Sequence, residues 1–181
     1  MASTTGLRQS ELLGLRWPAI DLERGRLEVR DVLVRDTDEI EDPKSRSSAR
    51  PIRLAPLVVD ALRARRQAQR LEQIAAGARW SKAQAERDLV FTDPRGEPHR
   101  GRQVTRRFQS TLAALGLPRF DWKSLRHAYV TGLLEDGVDL SVVSKSAGHS
   151  SVDITSDVYA HFTRAMQDQV SEIAAARVLG K

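Results

Sequence analysis

Apolar positions change their rhythm partway along the chain. In the first third they come in short alternating sets, and from Pro56 onward they recur at helical spacing. Leu12, Leu13 and Leu15 follow Ser10-Glu11, a cap and first-turn acid that predict a short helix ended by Trp17-Pro18. Asp21 to Gly25 reads as a turn. Leu27 and Val29 then alternate with polar neighbours, as a half-buried strand does. The parity shifts at Val32 and Val34, which predicts a bulge or bend. Ile52 and Leu54 mark another short strand, with Pro51 at its edge. Together these segments predict a small antiparallel sheet.

The remainder is predicted to be mostly helical. A long arginine-rich helix runs from Pro56 to about Ala78 on a weak stripe of Val58, Leu62 and alanines. Leu89-Val90-Phe91 reads as a buried segment and Asp93-Pro94-Arg95-Gly96 as a turn. Val104, Phe108, Leu112 and Leu115 share one helical face before Gly116. Asp121 or Ser124 caps the next helix, which puts Leu125, Tyr129, Gly132 and Leu133 on one side. Asp139 caps a shorter helix through Leu140, Val143 and Ala147, ended by Gly148. A further helix or turn carries Tyr159, and Met166, Val170, Ile173 and Val178 form an amphipathic terminal helix. The fold class expected is α+β, mainly α-helical with a small antiparallel β-sheet.

Composition narrows the function. The 181 residues suffice for one domain, and no cysteine is present for a disulfide or a thiolate metal site. No apolar run approaches the roughly 18 residues of a membrane span, and the opening residues show no signal-peptide pattern. The expectation is a cytoplasmic protein with no membrane contact. The net charge of +5 allows either a nucleic-acid partner or a merely soluble arginine-rich protein. Its distribution says more. Between His99 and His127 stand seven basic residues (Arg100, Arg102, Arg106, Arg107, Arg119, Lys123, Arg126) against one acid, Asp121. Between Asp21 and Asp42 nine acids face four arginines. A segregated basic region is a DNA-binding signal, set against the ordinary alternative of a solvated helix face.

Four motifs then follow in order: Thr5-Gly6-Leu7-Arg8-Gln9-Ser10-Glu11-Leu12, Pro43-Lys44-Ser45-Arg46, Lys123-Ser124-Leu125-Arg126-His127, and Gly148-His149-Ser150-Ser151 with Thr155 and Tyr159-Ala160-His161. This series resembles the two arginine boxes, the lysine-bearing hairpin and the nucleophile box of the tyrosine recombinases of the phage integrase family. The resemblance runs from residue 5 to about residue 163 and implies the catalytic-domain fold of that family.

The resemblance implies a catalytic set of Arg8, Lys44, Lys123, Arg126, His149 and Tyr159, with Tyr159 as nucleophile. It implies site-specific recombination or integration through a covalent 3′-phosphotyrosyl link, with no cofactor and no metal. The chemistry suits these residue types. A tyrosine with a pKa near 10 is only about one part in a thousand ionised at neutral pH, so it needs cationic neighbours. Guanidinium is permanently charged and bidentate toward phosphate. Arg8 just before one helix and Arg126 in the first turn of another occupy places that favour an anion. Taken alone, either arginine reads as a surface ion pair. Lys44 would protonate the leaving 5′ oxygen, and His149 would hydrogen-bond the phosphate or assist proton transfer. His127 and His161 read as supporting positions.

Lys123 departs from the family, which mostly carries histidine there. A lysine can hold phosphate charge but acts as a base near neutrality only with a strongly lowered pKa. Tyr129, on the apolar face of its helix, reads as core and serves as the internal contrast to Tyr159. The basic residues Arg46, Arg100, Arg102, Arg106 and Arg107 are the expected DNA-backbone contacts.

The expected partner is double-stranded DNA, bound as a homotetramer at synapsis by a protein that is monomeric when free. A prokaryotic or phage-encoded, nucleoid-associated protein is expected. Residues 1–163 are assigned to the catalytic domain and 164–181 to a C-terminal helix, with no N-terminal core-binding domain ahead of them. A competing reading uses the spacing of Ser144, Gly148 and Ile154 as a helix-turn-helix that binds DNA without cutting it. A recombinase remnant without activity is the third alternative.

Overall fold

The structure is a computed structural model and describes residues 1–30, 32–33, 40–41 and 50–148. Two short helices open it, α1 (Ala2–Thr5) and α2 (Gln9–Leu13), followed by a 3-10 turn at Trp17–Ala19. Strands β1 (Ile20–Asp21), β2 (Arg26–Glu28) and β5 (Pro51–Arg53) form an antiparallel sheet in the order β1-β2-β5. Leu27 lies between Ile20 on one side and Ile52 on the other, so the apolar row predicted from alternation is a real cross-strand row. Pro51 sits on the edge strand, where its missing N–H costs no ladder bond. A second pair, β3 (Val32–Leu33) with β4 (Ile40–Glu41), stands where the sequence parity changes.

Helices α3 (Pro56–Ala76), α4 (Lys82–Arg87), α5 (Gly101–Ala114), α6 (Trp122–Glu135) and α7 (Leu140–Ala147) follow. Two apolar clusters hold them. The larger joins Leu7, Leu12, Leu15 and Trp17 to Leu27, Val29, Ile52 and Leu54 of the sheet region, and to Val58, Val59 and Leu62 of α3. The smaller joins Val130 and Leu134 of α6 to Val143 and Ala147 of α7, with Tyr129 and Leu133 packed beside them. Where α1 meets α6 the two halves touch, and the site lies at that seam.

Several expectations change in detail. Arg8, not Ser10, is the N-cap of α2, because the Glu11 carboxylate takes the Arg8 backbone N–H at 2.7 Å and closes the turn two residues earlier. α4 was not expected, since its short segment offers no apolar period to read. Leu115 is 65% exposed: it lies past the last residue of α5, where the helical spacing no longer applies. On α6 the buried stripe is Arg126, Val130 and Leu134, one step round from the face expected, because α6 packs on both α1 and α7. Asp121 caps α6 by accepting the Ser124 N–H, which puts Arg126 in the second turn rather than the first. Buried Gln69 is satisfied at both ends, accepting from Trp17 Nε1 at 2.7 Å and donating to the Leu89 carbonyl at 2.8 Å.

Candidate active site

The loop Thr5-Gly6-Leu7-Arg8 between α1 and α2 is the foundation. Gly6 has φ +63°, and a Cβ there would lie 2.5 Å from the Tyr129 ring, so only glycine lets α6 come this close. That approach sets Arg126 against the loop. Its Nη1 donates to the Gly6 carbonyl at 2.6 Å. Its Nη2 is buried and has no hydrogen-bond partner among the described residues. A buried guanidinium nitrogen without an acceptor is costly unless an anion completes it.

Arg8 leads out of the same loop. Its side chain remains 40% exposed while Nη1 binds Glu11 Oε1 at 2.7 Å and Nη2 donates to the Gly148 carbonyl at 2.9 Å. Glu11 is buried and receives a second guanidinium, Arg50, at 3.3 and 3.4 Å. Burial by itself would raise the Glu11 carboxyl, but the charge and hydrogen bonds of Arg50, together with Arg8, hold it below the usual carboxylate value. Arg126 shows the converse. Burial, then the positive charge of Arg8 and that of Arg50, outweigh the help of Glu11 and push it down to about 10. Two guanidinium groups thus bind the Glu11 carboxylate and a third lies within reach of its charge, and the surplus positive charge suits a bound phosphate.

Of the sequence-predicted site residues, the structure brings Arg8 and Arg126 together through the Gly6–Arg8 loop and their shared neighbour Glu11. Lys123 is exposed at the start of α6, just after the Asp121 cap. Its neighbour Trp122 stacks on Phe108 of α5 at 5.1 Å between ring centroids and has a buried Nε1 with no partner among the described residues. Lys44, Arg46, His149 and Tyr159 lie outside the described residues. Tyr129 is packed in the α6–α7 cluster, as its place on the sequence predicted.

Arg100, Arg102, Arg106 and Arg107 are all exposed, the first as the cap residue of α5 and the others along it. Gln9 ties that helix to α2, donating to the Gly101 carbonyl at 3.1 Å and to Thr105 Oγ1 at 3.0 Å. The basic helix is therefore braced against the arginine loop. Half-buried His99 at its start is held below its usual value, by burial first and then by Arg107.

Two charged residues of this cluster were not expected. Glu11 was read only as a first-turn acid, although its spacing of three from Arg8 is a usable signal. Arg50 carries no local sequence signal, because its partners are 39 and 96 residues away.

Comparison with known proteins places this arrangement. The model described as "Phage integrase family" matches residues 1–166. A protein named "Tyrosine recombinase XerC-like" from Caldanaerobacter subterraneus subsp. tengcongensis is 34% identical over 172 residues, covering 89% of this chain and 44% of that protein. An integrase from Streptomyces ambofaciens is 32% identical, with 88% and 42% covered. This chain thus spans less than half the length of these two relatives. Among solved structures, the Tn1549 transposon integrase in complex with transposon right-end DNA superposes with a TM-score of 0.76 at 22% identity, covering 94% of this chain and 56% of that one. The XerA recombinase gives 0.68 at 21% identity, covering 93% and 55%. At such identities these two structures establish the fold.

Proposed function

The chain belongs to the phage integrase family, and from that premise we propose that it cuts and rejoins double-stranded DNA in site-specific recombination. The observation that carries the reading is the Nη2 of Arg126, buried without a partner among the described residues, beside the half-exposed guanidinium of Arg8, a preformed cationic place for one phosphate. In the proposed reaction the Tyr159 phenol loses its proton to solvent water as its oxygen attacks phosphorus, and the bond to the 5′ oxygen breaks. The 3′ phosphate becomes a tyrosine ester, and Lys44 gives a proton to the departing 5′ oxygen. Arg8 and Arg126 hold the nonbridging oxygens as they gain charge, with His149 as an additional donor. Lys123 contributes positive charge from the start of α6. The ester keeps the bond energy, so rejoining is the same step reversed with a 5′ hydroxyl as nucleophile.

In this reading residues 1–163 are the catalytic unit, Arg46 and the arginines of α5 touch the DNA backbone, and monomers assemble into a homotetramer on DNA. The protein acts on prokaryotic or phage DNA in the cytoplasm; among the described residues no helix is long and apolar enough to cross a membrane. The helix-turn-helix regulator is not favoured, because the relatives are recombinases and integrases and Arg8 has no part in such a motif.

Nicked suicide duplexes taken from the DNA flanking its own gene test the reaction. The wild-type chain should give a covalent protein–DNA adduct on a denaturing gel, Tyr159→Phe should give none, and Tyr129→Phe should cleave nearly normally. An adduct that survives Tyr159→Phe would overturn the assignment.

A further inference from the structure

One guanidinium ties three elements of this site together and has no part in the chemistry proposed above. Arg50, immediately before β5, is buried, and its Nε donates to the Ser146 carbonyl near the end of α7 at 2.7 Å. Its Nη1 and Nη2 reach the two oxygens of Glu11 on α2. Glu11 in turn holds Arg8, through Nη1 and through the backbone N–H, both at 2.7 Å. Arg8 closes the circuit on the Gly148 carbonyl. Gly148 has φ +69°, and a Cβ there would run into the Arg50 guanidinium, so this close approach depends on glycine. The residue that follows is His149.

We propose that Arg50 is a positioning residue for strand cleavage: it orients the Glu11 carboxylate that aims Arg8, and it anchors the end of α7 that leads to His149. The inference rests on the strand-cleavage reading. Arg50 need not touch DNA to act. A carboxylate serving two guanidinium groups has its orientation set by both, and a displaced Arg8 loses its alignment with the phosphate. Misplacement by about 1 Å can cost on the order of 10²-fold in rate.

The groups that face Glu11 give the test a signature beyond stability. They are Arg8 from its own helix, Arg50 from the β5 side and Arg126 from α6, which itself feels Tyr129. α5 meets α2 through Gln9, and β3 is the uncharged pair Val32–Leu33. Burial pushes the Glu11 carboxyl up and Arg50 opposes it most strongly. With Arg50 neutral the strongest opposition to burial is gone and only Arg8 still opposes it, so the Glu11 carboxyl rises from its lowered value, takes up a proton more readily as pH falls, and when protonated holds Arg8 less well.

The experiment uses the full chain and the suicide-duplex adduct assay. Arg50→Lys keeps the charge but cannot reach both Glu11 oxygens and the Ser146 carbonyl at once. It should slow adduct formation about 10- to 100-fold on saturating DNA, with duplex affinity changed less than about threefold. In Arg50→Gln the rate relative to wild type should fall further between about pH 8 and pH 5, and this added acid sensitivity should vanish in Arg50→Gln/Glu11→Gln. Circular dichroism and a melting curve accompany each variant. An Arg50→Lys chain that is unfolded, or folded with wild-type rate, overturns the proposal, as does acid sensitivity that persists in the double variant. If the wild-type chain itself forms no adduct, it is the strand-cleavage reading that falls.

Discussion

Two arginine-rich regions of this protein use the same side chain in opposite ways. Arg8 and Arg50 bind one buried carboxylate, Glu11, and Arg126 lies within reach of its charge while donating to the Gly6 carbonyl; Arg50 and Arg126 are buried. Arg100, Arg102, Arg106 and Arg107 stand exposed on α5. The first arrangement stabilises charge at one point in a site of low dielectric, where a misplaced or unpaired group is expensive. The second makes a field that acts over about a Debye length and tolerates imprecision. Position should therefore matter in the first region and only number in the second.

The largest expected effect separates them directly. Arg8→Ala and Arg126→Ala should each slow adduct formation by about 10²–10³, or roughly 2.7–4 kcal/mol of transition-state stabilisation, while duplex affinity shifts less than tenfold. Arg→Lys at either place should restore only part of the rate, since ammonium cannot make the bidentate contact. A marked drop in binding with an unchanged rate on saturated DNA would make these arginines docking contacts, like those of α5.

Next comes the seam that seats Arg126. Gly6→Ala forces a left-handed backbone on alanine and drives a methyl into Tyr129. The penalty should be about 2–4 kcal/mol, read as a melting temperature lower by roughly 5–15 °C. Gly132→Ala is the control within α6, where an added Cβ meets nothing within 4 Å; its melting temperature should hold or rise slightly. Equal effects at the two glycines would show that the α1–α6 approach is not what the fold depends on.

A smaller effect tests the surplus charge. The folded pKa of Arg126, about 10, lies below the ordinary arginine value, so at neutral pH the fold penalises the charged form. That penalty lessens only as pH rises through the folded value, or when an anion binds. Sulfate at about ten times its dissociation constant should therefore stabilise the wild-type protein by about 1.4 kcal/mol, and Arg126→Gln by clearly less. An identical rise in both would place the anion elsewhere.

The smallest effect belongs to α5. Arg106→Gln/Arg107→Gln should flatten the log–log salt dependence of duplex binding by about 0.9 for each phosphate left without its arginine, and the rate on saturated DNA should not change. An unaltered slope would show these arginines to be a solvated face.

What could be read in advance follows a physical division. Alternation around Leu27 and Ile52 and the caps Asp121 and Asp139 depend on neighbours a few residues apart, and all of them stand in the structure as expected. So does Arg8 just before its helix. The buried face of α6 was misjudged because Arg126, a charged residue, occupies a core position, which no hydrophobicity pattern anticipates. α4 escaped because alanines and charges show no preferred face. By itself, the sequence determined which side chains could do phosphoryl chemistry, where most of the strands and longer helices lie, and which family the chain resembles. These are properties of residue type and local spacing. Tertiary structure alone decided that Arg50 shares the Glu11 carboxylate with Arg8 and that Tyr129 settles over Gly6. It also decided that one nitrogen of Arg126 is buried without an acceptor among the described residues. Contacts between residues 39 to 140 positions apart arise only when the chain closes on itself, and burial then gives an ordinary arginine its altered pKa.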